Sequence, residues 1–353
     1  MSKQVVKSRK EKVKTVLFKT NEEEIKAAAR ILSGGGLVAF PTETVYGLGA
    51  DAFDKDAAKK AYAAKGRPSD NPLIVHVAKF DDLYRLSPKD AVDMEVVRKL
   101  ADTFWPGPLT IILPKLDVVQ KETTGGLDTV AIRMPKDDAT LKLIEYSGTL
   151  VSGPSANTSG GPSPTSWQHV QKDLDGKIDG IICGSPCSGG IESTVIDLSG
   201  IYFKKTSAIT ILRPGLVTPE MIEEATGLNV EYDAALLKKP EIDADGNINN
   251  DPNFRPKAPG MKYKHYSPKA EVTLVIGDKD NPRVKEIFEE KIKSGLNGVT
   301  IYPDTKSFYA SLRSADDEGK DFIIAVLPKD DSSLAFSLLN RALKAAGYNI
   351  VYL

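Results

Sequence analysis

One stretch decides how many bodies this chain can form. From Lys238 to Pro268 it reads KKPEIDADGNINNDPNFRPKAPGMKYKHYSP, with five prolines and almost no aliphatic side chains. Such a segment cannot bury enough apolar surface to make a core of its own. It is read as a linker, so the 353 residues divide into a basic tail (1–14), a large N-terminal domain (15–237), the linker (238–268) and a small C-terminal domain (269–353).

The two domains carry different patterns. Beyond the linker, strand and helix alternate: Val272 to Ile276, a helix from Arg283, Gly298 to Tyr302, a helix near Ser307, Phe322 to Leu327, a helix through Leu334 to Ala346, and Asn349 to Leu353. That alternation implies a small parallel α/β domain. Before the linker the mixture is irregular. Asn21 with Glu24 three residues on forms a cap with its acidic partner, ahead of a helical face of Ile25, Ala28, Ala29 and Leu32. A helix over 55–65 follows, and strands are expected at 37–40, 73–77, 110–113, 130–134, 149–152, 180–183, 194–198 and 209–212. This order predicts a twisted mixed sheet with helices packed against it.

No apolar run reaches the roughly 18 to 20 residues of a membrane helix, and MSKQVVKSRKEKVK has no apolar signal core. A cytoplasmic address without membrane is the expectation. The net charge of −1 exerts no global pull on nucleic acid, although residues 1 to 14 hold six Lys or Arg against one Glu. Two cysteines, Cys183 and Cys187, cannot build a disulfide framework.

Chemistry concentrates in three segments. FPTETVYGLGA (40–50) halts an apolar strand with hydroxyls, a carboxylate and glycines, at the carboxyl end where open α/β sheets bind ligands. Its GLGADA also fits G-x-G-x-x-A, but six residues separate Gly47 from the strand's end and the next helix starts too late to meet a pyrophosphate. AKGRPSDNPLIVHV (64–77) sets Lys65 and Arg67 two apart on backbone that Pro68 keeps extended, with Asn71 and His76 following. Two cations on one side suit a polyphosphate, and a solvated basic turn is the alternative. VSGPSANTSGGPSPTS (151–166) is either a turn-rich surface loop or a lining of short polar side chains and exposed amides for an anion or amino acid. GGIESTVIDL and ILRPG add polar groups at strand edges. There is no phosphate-binding G-x-x-x-x-G-K-[ST] loop, no G-x-S-x-G elbow and no histidine at metal-ligand spacing.

In order, PTETVYGLGA, KGRPSDNPLIVHV, WPGPLTIIL, TVAIRMP, GPSANTSGGPSPT and GIESTVIDL closely resemble the YrdC-like threonylcarbamoyl-AMP synthase family over about residues 15 to 235. The linker's PGMKYKHYSP and the C-terminal domain resemble its two-domain form. The resemblance implies a YrdC-like mixed sheet followed by a Rossmann-like C-terminal domain. It also implies a nucleotidyltransferase that condenses L-threonine, bicarbonate or carbon dioxide, and ATP to threonylcarbamoyl-AMP and pyrophosphate. The product would pass to a tRNA threonylcarbamoyl transferase. By the same resemblance Lys65, Arg67, Ser155 and Asn157 are the catalytic signature, and Thr44, His76, Arg133, Gly153 and Ser193 contact threonine. Arg67, Asn71, Thr129, Ser155, Ser163, Arg213 and Tyr263 contact the nucleotide, with magnesium arriving on ATP. An RNA-binding module, drawing on the basic tail and the Tyr-Lys linker, and a dinucleotide-dependent oxidoreductase are the competing readings; a weak tRNA contact is compatible with the first.

Overall fold

The computed structural model describes residues 13–237, 256–258 and 265–353. Two sheets organise them. The larger has eleven strands: β1 (Val16–Phe18), β2 (Val38–Phe40), β3 (Gly47–Asp51), β4 (Ile74–His76), β5 (Leu109–Pro114), β6 (Thr129–Arg133), β7 (Val151–Gly153), β8 (Gly180–Ile182), β9 (Thr194–Asp197), β10 (Ile209–Arg213) and β11 (Val230–Tyr232). Their order is β1-β8-β2-β3-β7-β4-β6-β5-β9-β10-β11. Parallel pairs such as β4 with β6 stand beside antiparallel ones such as β4 with β7, so the sheet is mixed as expected.

Helices cover it for the reason their sequences suggest. Over Glu22–Ser33 the buried positions are Ile25, Ala28, Ala29 and Leu32, and the Asn21 side chain accepts from the Glu24 amide at 3.0 Å. That cap satisfies one of the free N-terminal amides. The buried face joins a core running through Phe40, Val75, Leu100, Ile111, Ile132 and Leu143.

The stretch Gly47–Asp51 departs from expectation. It is not a glycine loop but strand β3, paired antiparallel with β2 in the register Phe40↔Gly47 and with β7 on its other side. A side chain at Gly47 would place its Cβ 2.4 Å from the Phe40 ring. The glycine therefore lets Phe40 lie across the neighbouring strand, where it meets His76 edge-on at 5.2 Å. Strand geometry at this point also removes the dinucleotide fingerprint, which needs a tight turn there.

The second sheet is wholly parallel: β12 (Glu271–Ile276), β13 (Gly298–Ile301), β14 (Phe322–Leu327) and β15 (Ile350–Tyr352), ordered β13-β14-β12-β15. Helix Pro282–Lys293 packs on one face with Val284 and Ile287. Helices Phe308–Asp317 and Ser333–Ala345 pack on the other with Leu312 and Leu338. Those two helices also meet the larger domain. Among the contacts, Arg313 donates to the Pro162 carbonyl at 2.6 Å and to Asp173 at 2.9 Å, and Ser337 donates to the Gly215 carbonyl at 2.9 Å. Gly190, at φ +75°, packs so closely on the Lys306 backbone that a Cβ would sit 2.4 Å from it. Among the described residues no helix is long and apolar enough to cross a membrane.

Candidate active site

The chain turns sharply between β2 and β3, and this six-residue connection builds the first wall of a cavity. Thr42 Oγ1 accepts from the amides of Thr44 and Val45 at 3.1 and 3.2 Å, curling the turn so that Thr42, Thr44 and Val45 line the hollow. The second wall is the loop after β7. It is tied to β3 by Leu48 N donating to the Pro154 carbonyl and Ala156 N to the Tyr46 carbonyl, each at 2.8 Å. Gly153, Pro154 and Ser155 thereby line the same space.

Lys65 holds that loop from behind. It ends the helix Lys55–Lys65 and is 2% exposed. Its ammonium donates to the Ser155 carbonyl, to the Asn157 carbonyl at 2.6 Å and to Asn157 Oδ1 at 3.2 Å. Three N–H groups thus meet three acceptors. Burial, with Arg67 adding to it, holds the Lys65 pKa well below the usual lysine range. The expected pairing of Lys65 and Arg67 on one polyphosphate is therefore divided in this structure: Lys65 fastens the Ser155–Asn157 loop, and Arg67 faces the cavity. Ser155 Oγ donates to Asn157 Oδ1 at 2.6 Å, and Asn157 Nδ2 donates to the Thr158 and Gly161 carbonyls.

Arg67 and Arg213 bring two buried guanidiniums to one hollow. Arg67 Nη2 donates to the carbonyls of Asn71 and Pro72 at 3.3 Å, while its Nε has no partner. Arg213 donates to the Ser193 carbonyl at 3.0 Å and to its hydroxyl at 3.1 Å. Burial lowers the Arg67 pKa to about 10, with Arg213 contributing, so the side chain stays charged at neutral pH. Like charges buried together mark a place built for an anion.

A second set of side chains meets them. Arg133 pairs with Glu43 at 2.7 Å, donates to Thr44 Oγ1 at 2.9 Å and to the Gly107 carbonyl at 3.2 Å. His76 lies 3.3 Å from the Val151 carbonyl, and burial, reinforced by Arg133, lowers its pKa to about 3. It is a neutral imidazole. Ser193 Oγ also shares a hydrogen with Thr110 Oγ1 at 2.8 Å, so the serine is held from two sides.

His265 and Tyr266, from the end of the linker, also line the hollow. Tyr266 takes φ +64° and its ring meets that of Tyr309 of the C-terminal domain in a tilted contact, centroids 5.4 Å apart. The open space left among these residues is about 60 Å³. His265 Nε2 has no partner, and burial followed by Arg67 holds its pKa well below the histidine range.

Of the residues singled out from sequence, Thr44, Arg67, His76, Arg133, Gly153, Ser155, Ser193 and Arg213 line this one cavity. Lys65 and Asn157 support it through Ser155. Asn71 presents its carbonyl to Arg67 and leaves its buried Oδ1 without a partner, and Ser163 donates to the lining residue Glu192 at 2.5 Å. Thr129 stands at the start of β6, four residues before Arg133 and outside the lining. Tyr263 and residues 1–12 of the basic tail lie outside the described residues.

Glu192 is what sequence reasoning passed over, although it sat in the quoted GIEST. Tyr309 and Arg341, which reach it from the other domain, carried no local signal at all. Residues 30–215 match the Sua5/YciO/YrdC family, described as "Telomere recombination", and residues 217–347 match the threonylcarbamoyl-AMP synthase C-terminal domain. A threonylcarbamoyl-AMP synthase of Pyrococcus abyssi is 43% identical over 94% of this chain and 96% of its own length, and one of Bacillus subtilis is 39% identical over 94% and 95%. The structure of P. abyssi Sua5 complexed with L-threonine superposes with a TM-score of 0.84 at 39% identity, covering 96% of this chain and 100% of that one. With both domains matched, and matched in order, the chain belongs to the threonylcarbamoyl-AMP synthase family in its two-domain form.

Proposed function

We propose that this chain is the enzyme that condenses L-threonine, carbon dioxide or bicarbonate, and ATP to threonylcarbamoyl-AMP and pyrophosphate, a nucleotidyl transfer that supplies a tRNA-modifying transferase. One observation carries the reading. Two buried cations, Arg67 and Arg213, share a single cavity with the Arg133–Thr44–His76–Ser193 set, so a polyphosphate and a polar amino acid can be held side by side. The P. abyssi relative complexed with L-threonine and the family membership support the same assignment.

The chemistry asks for positioning more than for a base. Threonine's amine adds to carbon dioxide and loses a proton, giving a carbamate. A carbamate oxygen then attacks the α-phosphorus as the bond to pyrophosphate breaks. Charge accumulates on phosphate oxygens during that displacement, and preorganised cations stabilise it. Arg67, with an unsatisfied Nε, and Arg213 stand ready for this. His76 is too weakly basic to keep the amine's proton, so it serves as a neutral hydrogen-bonding wall and the proton leaves to solvent. Thr44, Arg133, the Gly153 backbone and Ser193 orient threonine, which turns a three-reactant encounter into a fixed geometry.

Both the carbamate and the mixed anhydride decompose in water, so exclusion of solvent matters. His265 and Tyr266 are placed to provide it. The open space of about 60 Å³ is far below the roughly 300 Å³ at which small-molecule pockets begin, so the lining must open for ATP to enter. Among the described residues Glu192 is the one carboxylate in the lining, and its oxygens already accept from Ser163, Tyr309 and Arg341. Magnesium accordingly enters as part of the substrate MgATP. Pyrophosphate release measured with L-threonine, bicarbonate and MgATP, omitting each in turn and exchanging threonine for serine, tests the proposal. Release that is independent of threonine would refute it.

A further inference from the structure

Glu192 poses an electrostatic problem that the C-terminal domain solves. The residue is 6% exposed and lines the cavity assigned above to a polyphosphate. An unpaired anion there would repel the substrate and would be costly to bury. It is not unpaired. Ser163 donates to Oε1 at 2.5 Å, the Tyr309 hydroxyl lies 3.0 and 2.9 Å from the two oxygens, and Arg341 Nε reaches Oε2 at 3.3 Å. Burial pushes the Glu192 pKa up, but Arg341, Arg213 and Ser163 together outweigh it and hold the group below the usual carboxylate range.

Two of these three donors come from the other domain, more than a hundred residues away in sequence. Arg341 is fully buried and makes further bonds: to the Pro214 carbonyl, to the Ser337 carbonyl at 3.1 Å and to the Glu192 carbonyl at 3.4 Å. Pro214 follows Arg213, and Glu192 precedes Ser193. One guanidinium therefore clamps the two backbone segments that present Arg213 and Ser193, which are bonded to each other.

We infer that the C-terminal domain supplies Arg341 and Tyr309 as positioning residues for nucleotide binding: they neutralise Glu192 and, through it and Pro214, fix Ser163 and Arg213 at the polyphosphate. The inference rests on the function proposed above. It makes the second domain a built-in part of the active site rather than an attached module.

The test uses the intact chain, with MgATP and L-threonine titrated separately by calorimetry and thermal melting run in parallel. Tyr309→Phe removes one hydroxyl that acts on the nucleotide only through Glu192 and should weaken MgATP about 3- to 10-fold, the scale of one ordinary net hydrogen bond, while L-threonine changes less than about 2-fold. Arg341→Met leaves Glu192 charged and unpaired, so MgATP should weaken by about 10-fold or more. The double variant Glu192→Gln with Arg341→Met should recover part of that loss, because no carboxylate then opposes the phosphates although the bond to the Pro214 carbonyl stays lost. If Arg341→Met does not fold, Tyr309→Phe and the double variant carry the comparison. Unchanged MgATP affinity in folded Tyr309→Phe, equal losses for both ligands, or a double variant no better than Arg341→Met would each overturn the inference. Wild-type protein that binds L-threonine but not MgATP would overturn the proposed function and this inference together; wild-type binding with unaffected variants would overturn this inference alone.

Discussion

Arg67 and Lys65 sit two residues apart yet do different work, and mutation should separate them. Arg67→Ala removes a cavity-facing cation and should lower kcat/KM by about 10²-fold or more, with a smaller effect on melting than at Lys65, because relief of the like charge of Arg213 offsets the two carbonyl bonds lost. Lys65→Met removes three bonds to the Ser155–Asn157 loop. It should lower kcat/KM on a similar scale, about 10²-fold, and also lower the melting temperature, because the buried Asn157 carbonyl is left without a donor while Oδ1 keeps only Ser155. Steady-state kinetics beside calorimetric melting distinguishes the two. The histidines make a pH prediction. His76 has a pKa of about 3 in the folded chain against 6.5 unfolded, and His169, lowered by burial to about 4, follows it. Above pH 6.5 neither state is protonated and no stability is lost. Below it the unfolded chain takes up protons that the folded chain refuses, so stability falls as pH drops from 6.5 toward 3, at about 1.4 kcal/mol per pH unit for each such group. In urea unfolding measured between pH 7 and 5, His76→Asn should show a slope shallower by roughly that one-group amount.

Elements carry the site only because two of them pack unusually closely. Strand β3 passes over Phe40 at Gly47, and the Phe40 ring in turn touches His76. Gly47→Ala should overpack this point and destabilise the fold by about 1–3 kcal/mol. Adding Phe40→Leu should restore part of it, as chemical denaturation of the single and double variants would show. The helices and the C-terminal strands were legible from sequence because their signals are local. Periodicity of 3.6 exposed Ile25, Ala28, Ala29 and Leu32, and strict alternation exposed the parallel sheet. β3 was not legible. Its glycines read as a loop because what they accommodate, the Phe40 ring, belongs to a different strand.

At the scale of the molecule the two domains are bridged by ion pairs of Arg341 with Glu192 and Arg313 with Asp173, and the linker residues His265 and Tyr266 line the cavity. The linker is also seated further back. Ala258 is fully buried among Ile74, Ile112, Ala131, Val195 and Leu212, and Lys257 pairs with Asp197 at 3.1 Å. Ala258→Glu would put an unpaired carboxylate into that apolar seat. It should abolish pyrophosphate release while leaving the melting of the two sheets nearly unchanged; retained turnover would show that the seat is dispensable.

The ordered motifs by themselves determined the family, the order of strands and helices determined the mixed and parallel sheets, and eight residues named from sequence line the cavity. Each of those rests on residues close together in the chain, or on short segments whose chemistry is legible one at a time. Which of Lys65 and Arg67 faces the cavity, why Gly47 must be glycine, and how Glu192 can be a buried anion in the lining were decided only in three dimensions. Those outcomes depend on burial and on partners as remote as Arg341, and electrostatics in a desolvated interior is set by what folding brings near, not by what stands next in the chain.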